Sequence, residues 1–123
     1  MAEDRILYIE DNFHNRRVVE KILGSRGYQM LEAENGERGL EMVAKYKPRL
    51  VLLDITLPGM DGIEVAGHIK ANEELRHIPL IALTASAMRG DRERFLAAGC
   101  DDYIAKPINA VELIEMVARY YGD

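Results

Sequence analysis

Residues 51–62 read VLLDITLPGMDG, and the start of this stretch predicts the fold. The aliphatic run from Leu50 to Leu53 shows no alternation of apolar and polar positions, and it ends at an acid, Asp54. A short apolar run without alternation is typical of a strand covered on both faces, as in a parallel sheet packed between helices. Asp54 therefore lies at the carboxyl end of a predicted buried strand.

Similar apolar runs recur along the chain and alternate with segments of helical periodicity. The predicted strands are residues 5–9, 28–33, 50–54, 78–83 and 102–105. The first of five helical stripes comprises Val18, Val19, Ile22 and Leu23. Strict alternation with short connections predicts an α/β fold: a flavodoxin-like (βα)5 three-layer sandwich with five parallel strands in the order 2-1-3-4-5. We expect one domain over residues 1–123.

Polar caps and helix breakers mark the ends of the predicted helices. Asparagine is a good N-cap because its side chain accepts a hydrogen bond from the first turn, and glycine or proline favours helix termination. The predicted N-caps are Asn12, Asn35 and Asn109, and the predicted stops are Gly27, Pro48 and Gly99.

Composition excludes several classes of partner. The 123 residues include 21 acidic and 16 basic side chains, a net charge of -5, so no basic field predicts binding to DNA or to a membrane surface. The single Cys100 cannot form an internal disulfide, and the sequence has neither an 18-residue apolar span nor a signal-like N-terminus. We expect a reduced, cytoplasmic protein, a monomer or weak dimer, that binds proteins or small ions.

Three acids are predicted to converge where the strand order reverses, between the first and third strands. The first strand ends in Glu10 and Asp11, and the third ends in Asp54. Two carboxylates about 4 Å apart repel by about 4 kcal/mol at an effective dielectric of 20. Protonation of one acid or a hard cation such as Mg²⁺, which prefers oxygen ligands, would relieve this repulsion. No histidine or cysteine stands beside these acids, which argues against zinc.

The last two strands add a hydroxyl and an ammonium to the same edge. Thr84 follows the fourth run and Lys106 follows the fifth. Each alone is also typical of a cap or a solvated side chain, but together with the acids they form the set that a phosphoryl group on Asp54 would require. Pro107 restricts Lys106 to extended conformations and makes the bond between them a candidate cis peptide.

Four motifs in register carry a family resemblance: IEDN (9–12), LLDITLPGMDG (52–62), ALTASAM (82–88) and DYIAKPI (102–108). With these motifs the chain resembles the receiver domains of two-component response regulators, the CheY-like superfamily. Within it, the chain is most similar to stand-alone or hybrid-kinase receivers. The resemblance spans nearly the whole chain.

The resemblance implies a phosphoacceptor and a metal site. Asp54 would accept a phosphoryl group from a phosphohistidine of a sensor histidine kinase or histidine phosphotransfer protein. Asp11, Asp54 and the backbone carbonyl of Thr56 would bind Mg²⁺ (or Mn²⁺), and Glu10 would hold the ion through water. Many members carry Asp at the position of Glu10.

The resemblance also implies a switch and an output surface. Lys106 would pair with the phosphoryl group, Thr84 would hydrogen-bond it, and Tyr103 would rotate inward. A downstream protein would bind the face formed by the fourth helix, fifth strand and fifth helix. Because the sequence ends after its fifth predicted helix, we expect a receiver without an output domain, stand-alone or excised from a hybrid kinase. The candidate contact residues are Met88, Arg89, Tyr103 and Tyr120.

Three other kinds of protein share part of this sequence pattern. Magnesium-dependent phosphatases of the haloacid dehalogenase type also use an aspartyl nucleophile, but they place a second Asp where this chain has Thr56. A flavin- or nucleotide-binding module would need a glycine-rich phosphate loop, and none occurs. A receiver that signals without phosphorylation would not need the intact acids and Lys106. We therefore predict a phosphoacceptor signalling domain rather than an enzyme.

Overall fold

Five parallel strands form a single sheet, and five helices cover its two faces. The computed structural model describes residues 4–85 and 91–122. The strands are β1 (Ile6–Ile9), β2 (Met30–Ala33), β3 (Leu50–Asp54), β4 (Leu80–Thr84) and β5 (Asp102–Ala105). The helices are α1 (Phe13–Gly24), α2 (Gly36–Tyr46), α3 (Gly62–Ala71), α4 (Asp91–Ala98) and α5 (Ala110–Tyr121). The strand order is β2-β1-β3-β4-β5, which confirms the predicted fold.

Strand alternation divides the core into two layers, because successive side chains of a strand point to opposite faces of the sheet. In β1, Leu7 and Ile9 pack against α2, α3 and α4, where Phe95 is buried. Ile6 and Tyr8 pack on the other face against α1 and α5. We call these the α2–α4 layer and the α1/α5 layer. Fully buried aliphatic side chains from the strands fill both layers, which explains why the apolar runs in the sequence are uninterrupted.

The predicted N-caps are confirmed. The side chains of Asn12, Asn35 and Asn109 each accept a hydrogen bond from the backbone N–H three residues further on. Asp61 caps α3 in the same way by accepting from the N–H of Glu64, which the sequence analysis missed although it is visible as a D-x-x-E pattern.

Several predicted boundaries differ from the structure. β4 begins at Leu80 rather than at residue 78, because Pro79 has no N–H to donate to the ladder. β2 begins at Met30, and α1 ends at Gly24, before the predicted stop at Gly27. Val18 was expected in the buried stripe of α1 but is 36% exposed. Val19 and Leu23, one helical turn apart, face the sheet, and Val18 lies about 100° away from Val19 around the helix.

Pairing of the strand ends continues beyond the strands and positions the site. The N–H of Glu10 donates to the carbonyl of Ala33 at 2.9 Å, and the N–H of Lys106 donates to the carbonyl of Thr84 at 2.7 Å. The carboxyl ends of the central strands therefore finish at one edge of the sheet.

No helix in the described parts of the chain is long and apolar enough to cross a bilayer.

Candidate functional site

Three carboxylates meet at the carboxyl edge of β1 and β3. Oxygen atoms of Glu10, Asp11 and Asp54 lie within 4.8 Å of one another. Glu10 and Asp54 are buried, at 1% and 3% exposure, and Asp11 is exposed, so the cluster has one open side. Within residues 4–85 and 91–122, neither a histidine nor a cysteine belongs to the cluster. The donor set is therefore all oxygen and suits a hard divalent cation.

Lys106 connects the two buried acids. Its Nζ atom lies 3.1 Å from Asp54 Oδ2 and 3.3 Å from Glu10 Oε1. Burial alone would lower the pKa of Lys106, but the charges of Asp54 and Glu10 and their hydrogen bonds raise it. The side chain thus stays an ammonium group. The bond between Lys106 and Pro107 is cis.

The buried acids perturb each other's protonation. Burial, together with the hydrogen bond to Glu10 and its charge, raises the pKa of Asp54 to about 7, although Lys106 acts in the opposite direction. Burial would also raise the pKa of Glu10, but hydrogen bonds from Asp54 and the charge of Lys106 outweigh it and lower that pKa to about 2. The proximity of the two buried carboxylates therefore favours a proton on Asp54. A proton is one way to relieve the repulsion between them, and a bound cation is another.

The loop after β3 starts with a contact to the central acid. The backbone N–H of Thr56 donates to Asp54 Oδ1 at 3.0 Å, and Thr56 itself is exposed. Gly62, at the start of α3, donates its N–H to the carbonyl of Ile55 at 3.0 Å. One carboxylate oxygen of Asp54 thus accepts from its own loop, and the other pairs with Lys106.

Thr84 and Tyr103 lie on the other side of the sheet from the acids. Ala82 pairs with Tyr103, and Thr84 pairs with Ala105, so Thr84 and Tyr103 follow the same alternation and face the α2–α4 layer. Thr84 is buried at 3% exposure. Tyr103 is half-buried, and its ring centroid lies 6.2 Å from that of Phe95 in α4. The two side chains are diagonal neighbours on adjacent strands.

The sequence analysis missed three residues that surround Glu10. The Tyr8 hydroxyl donates to Glu10 Oε1 at 3.0 Å, and Asn15 Nδ2 donates to the same oxygen at 3.2 Å. Arg16 Nη1 donates to the backbone carbonyl of Glu10 at 2.6 Å. Burial and the negative charge of Glu10 raise the pKa of Tyr8, so its hydroxyl keeps the proton that it donates. Tyr8 could have been found from strand alternation, since it stands two residues before Glu10 on the same face.

Tyr120 is the remaining predicted contact residue that the structure describes, and it is not part of the acidic cluster. Tyr120 is half-buried in α5, where its hydroxyl donates to Asp102 Oδ2 at 2.9 Å. The predicted contacts Met88 and Arg89 lie outside the described residues.

Comparison with known proteins decides the family. Residues 6–118 match the model of the response regulator receiver domain. The chain belongs to this family. The receiver is 41% identical over 118 residues to the polar-differentiation response regulator DivK of Brucella anthropi, a match that covers 96% of this chain and 96% of DivK. This confirms the resemblance predicted from the four motifs.

Solved receiver structures have the same fold. The receiver domain of a sensor histidine kinase from Pseudomonas aeruginosa PAO1 is 39% identical, with a TM-score of 0.89 over 97% of this receiver and 98% of that chain. That structure holds a magnesium ion coordinated in its active-site cleft. The receiver domain of a histidine kinase from Syntrophus aciditrophicus is 33% identical, with a TM-score of 0.88 over 95% and 89% of the two chains. Receivers act in two-component signalling with histidine kinases and downstream proteins, and the phosphatase alternative has no support from these matches.

Proposed function

We propose that Asp54 accepts a phosphoryl group from a phosphohistidine of a sensor kinase or histidine phosphotransfer protein, in a Mg²⁺-dependent reaction. The observation that carries this proposal is the position of Asp54, which is buried at the end of β3 with Lys106 Nζ 3.1 Å from Oδ2. A buried carboxylate beside one ammonium and two further acids has no evident role in stability, because the acids repel one another. It is suited to binding a metal cation, whose charge offsets that of the acids and of an incoming phosphoryl group.

The residues present fit a magnesium ion. The cluster offers oxygen ligands only, one side is open, and the carboxylates lie within 4.8 Å of one another. Asp11, Asp54 and the backbone carbonyl of Thr56 would hold the ion, and Glu10 would hold it through water. When bound, Mg²⁺ supplies positive charge that offsets the charge of the acids and of the phosphoryl oxygens.

The transfer is a substitution at phosphorus. A carboxylate oxygen of Asp54 forms the new O–P bond as the P–N bond to the donor imidazole breaks, and the imidazole leaves with that electron pair and takes up a proton from solvent. No oxidant or additional reactant is needed. Lys106 is 3.1 Å from the carboxylate and its ammonium is available to the phosphoryl oxygens as their charge develops.

The product would alter the contacts of the receiver. The phosphoryl group would carry about 1.5 to 2 negative charges, in place of the single charge of the carboxylate, and three acceptor oxygens. Lys106 would turn to these oxygens, Thr84 would donate its hydroxyl to them, and Tyr103 would fill the space that Thr84 leaves. Tyr103 and Thr84 face the same layer, which supports this coupling. We further propose that the face of α4, β5 and α5, where Tyr103 and Tyr120 lie, binds the downstream protein.

The test is phosphorylation by a small donor. Incubation with acetyl phosphate and Mg²⁺ should add one acid-stable, base-labile phosphoryl group to each chain, measured by intact-mass spectrometry. Asp54→Asn should abolish labelling, because an amide is a poor nucleophile and cannot form the acyl phosphate.

The matched control is Asp61→Asn. Asp61 is an acid close in sequence but outside the cluster, and asparagine also serves as an N-cap, so α3 should be retained. This variant should label like the unsubstituted chain. Undiminished labelling of Asp54→Asn would contradict the assignment of the phosphoacceptor.

A further inference from the structure

The carboxylate of Glu10 is held from several directions. Its Oε1 atom accepts hydrogen bonds from the Tyr8 hydroxyl at 3.0 Å, from Asn15 Nδ2 at 3.2 Å and from Lys106 Nζ at 3.3 Å. Glutamate has one more rotatable bond than aspartate, so the position of its charge depends on the donors around it. At this site, three donors converge on one oxygen.

Tyr8 is the least movable of these donors. Its ring is fully buried in the α1/α5 layer, and its backbone pairs with Glu32 on one side and Leu52 on the other. Residues two apart in a strand face the same side, so the ring lies next to the side chain of Glu10 on one face of the sheet. Asn15 and Lys106, in contrast, are each partly exposed.

Lys106 cannot serve both acids throughout the proposed reaction. Its ammonium bridges Asp54 and Glu10 before phosphorylation. Once it turns to the phosphoryl group, the buried carboxylate of Glu10 loses one of its three donors. A buried carboxylate without donors is costly, so a donor that stays in place matters most at that stage.

We propose that Tyr8 is a positioning residue of the metal site, which acts by holding the carboxylate of Glu10 toward Asp11 and Asp54. Tyr8 touches neither the ion nor the phosphoryl group. The inference rests on the proposed function and adds a residue to the support of that same site. Hydrogen-bond partners of the groups that hold a metal ion orient those groups and so affect the affinity for the ion.

The test compares magnesium affinity in the absence of any phosphodonor. Tyr8→Phe removes one oxygen atom and keeps the buried ring. The dissociation constant for Mg²⁺, measured from the amide chemical shifts of residues 54–57, should rise about threefold to tenfold, at or below the lower end of the range for partners of direct ligands, because Glu10 would hold the ion through water. Tyr28→Phe is the matched control, because Tyr28 also packs against the α1/α5 layer, and it should bind Mg²⁺ like the unsubstituted chain.

A double-mutant cycle separates positioning from a general structural effect. If Tyr8 acts through Glu10, then adding Tyr8→Phe to Glu10→Ala should leave the dissociation constant at the value of Glu10→Ala alone. The same cycle in urea unfolding without Mg²⁺ should also show coupling, since the Tyr8 hydroxyl donates directly to Glu10 Oε1.

Two results would overturn the inference alone. One is an unchanged dissociation constant in Tyr8→Phe, and the other is an equal loss of affinity in both backgrounds of the cycle. If the unsubstituted chain bound no Mg²⁺, the proposed function would fail as well, so the two failures are distinguishable.

Discussion

The charge of the site is set by four side chains. Glu10, Asp11 and Asp54 cluster within 4.8 Å, and one ammonium, Lys106, lies between the two buried acids. One positive charge cannot neutralise three negative ones. Burial first, and then the hydrogen bond to Glu10 and its charge, raise the pKa of Asp54 to about 7. Asp54 is therefore held in an environment that favours a bound cation.

Cys100 gives a prediction about a residue away from the site. Burial, with a contribution from Asp101, raises the pKa of its thiol to about 11. Iodoacetamide alkylation, which requires the thiolate, should be slow at pH 8 in the folded protein and fast in concentrated urea. The native rate should keep rising above pH 9, whereas the unfolded rate should reach half of its maximum near pH 8.5, the ordinary pKa of a thiol.

The same shift predicts the sign of a stability change. Because folding favours the neutral thiol, the stability that Cys100 contributes is present below about pH 8.5 and is lost as the pH rises through the folded value of about 11. Cys100→Ala should remove this part of the alkaline decline in urea unfolding. Native and unfolded chains that react at equal rates at pH 8 would contradict the burial of the thiol.

Some site residues were predictable one at a time and others were not. Asp54 could be predicted because it ends an apolar run, and Lys106 because it precedes a proline at a strand end. Strand alternation places Tyr8 on the same face as Glu10, but it does not show that the Tyr8 hydroxyl donates to that carboxylate. Asn15 looked like an ordinary helix residue, because its amide matters only once the direction of Glu10 is known. Pairwise side-chain geometry of that kind is absent from a linear sequence.

At the level of elements, the approach of α3 to β3 fixes the loop that carries Thr56. Gly62 permits this approach, since a Cβ there would lie 2.6 Å from the carbonyl oxygen of Asp54 and 2.6 Å from the Cα of Ile55. Both are backbone atoms, which cannot move aside as a flexible side chain can. The start of α3 and the end of β3 are therefore packed backbone to backbone.

Gly62→Ala should lower the free energy of unfolding by about 1 to 3 kcal/mol, because the added methyl group must displace the helix or the strand end. Urea unfolding monitored by circular dichroism measures this. It should also slow labelling by acetyl phosphate, since the displaced loop carries the donor to Asp54 Oδ1.

The matched substitution is Gly67→Ala in the same helix. No atom lies within 4 Å of a Cβ at that exposed position. Alanine should therefore raise the free energy of unfolding by about 0.5 to 1 kcal/mol through helix propensity alone. Equal effects of the two substitutions would show that close packing at Gly62 is unimportant.

Element types were predicted well, and element limits less well. The asparagine caps carry their own local signal, so Asn12, Asn35 and Asn109 could be placed without tertiary information. The start of β4 depends on the missing N–H of Pro79, and the exposure of Val18 depends on how α1 is rotated against the sheet. Helix rotation is set by packing and is only approximately encoded in an apolar stripe.

At the level of the whole molecule, the ends of β1, β3 and β5 bring the acids and Lys106 together. The alternation of strands and helices and the right-handed crossovers predict a parallel sheet with helices on both faces, and the strand order is the one common to flavodoxin-like folds. The order of strands and helices alone does not show on which face of the sheet each site residue lies. That depends on register, which pairs Asp54 with Leu83 and Thr84 with Ala105.

Because a cation at the site binds only the folded chain, Mg²⁺ should stabilise the whole molecule. At a concentration 100 times the dissociation constant, the free energy of unfolding should rise by about 2.7 kcal/mol relative to EDTA. Thermal unfolding at matched ionic strength in NaCl measures this and removes the general effect of salt on a chain of net charge -5.

Asp11→Asn should remove the Mg²⁺-dependent increase. The same substitution should raise the melting temperature in EDTA, because it deletes one of three mutually repelling charges. A melting temperature in EDTA below that of the unsubstituted chain would contradict the view that the cluster is held together against repulsion.

The two layers of the core also divide the candidate site residues into two groups. Glu10 and Asp54 continue the alternation of Tyr8 and Leu52 into the α1/α5 layer, whereas Thr84 and Tyr103 continue that of Ala82 into the α2–α4 layer. The sheet thus divides the acids from Tyr103. In the proposed switch, a change at Asp54 would reach Tyr103 over the carboxyl edge of the sheet, at the end of β4.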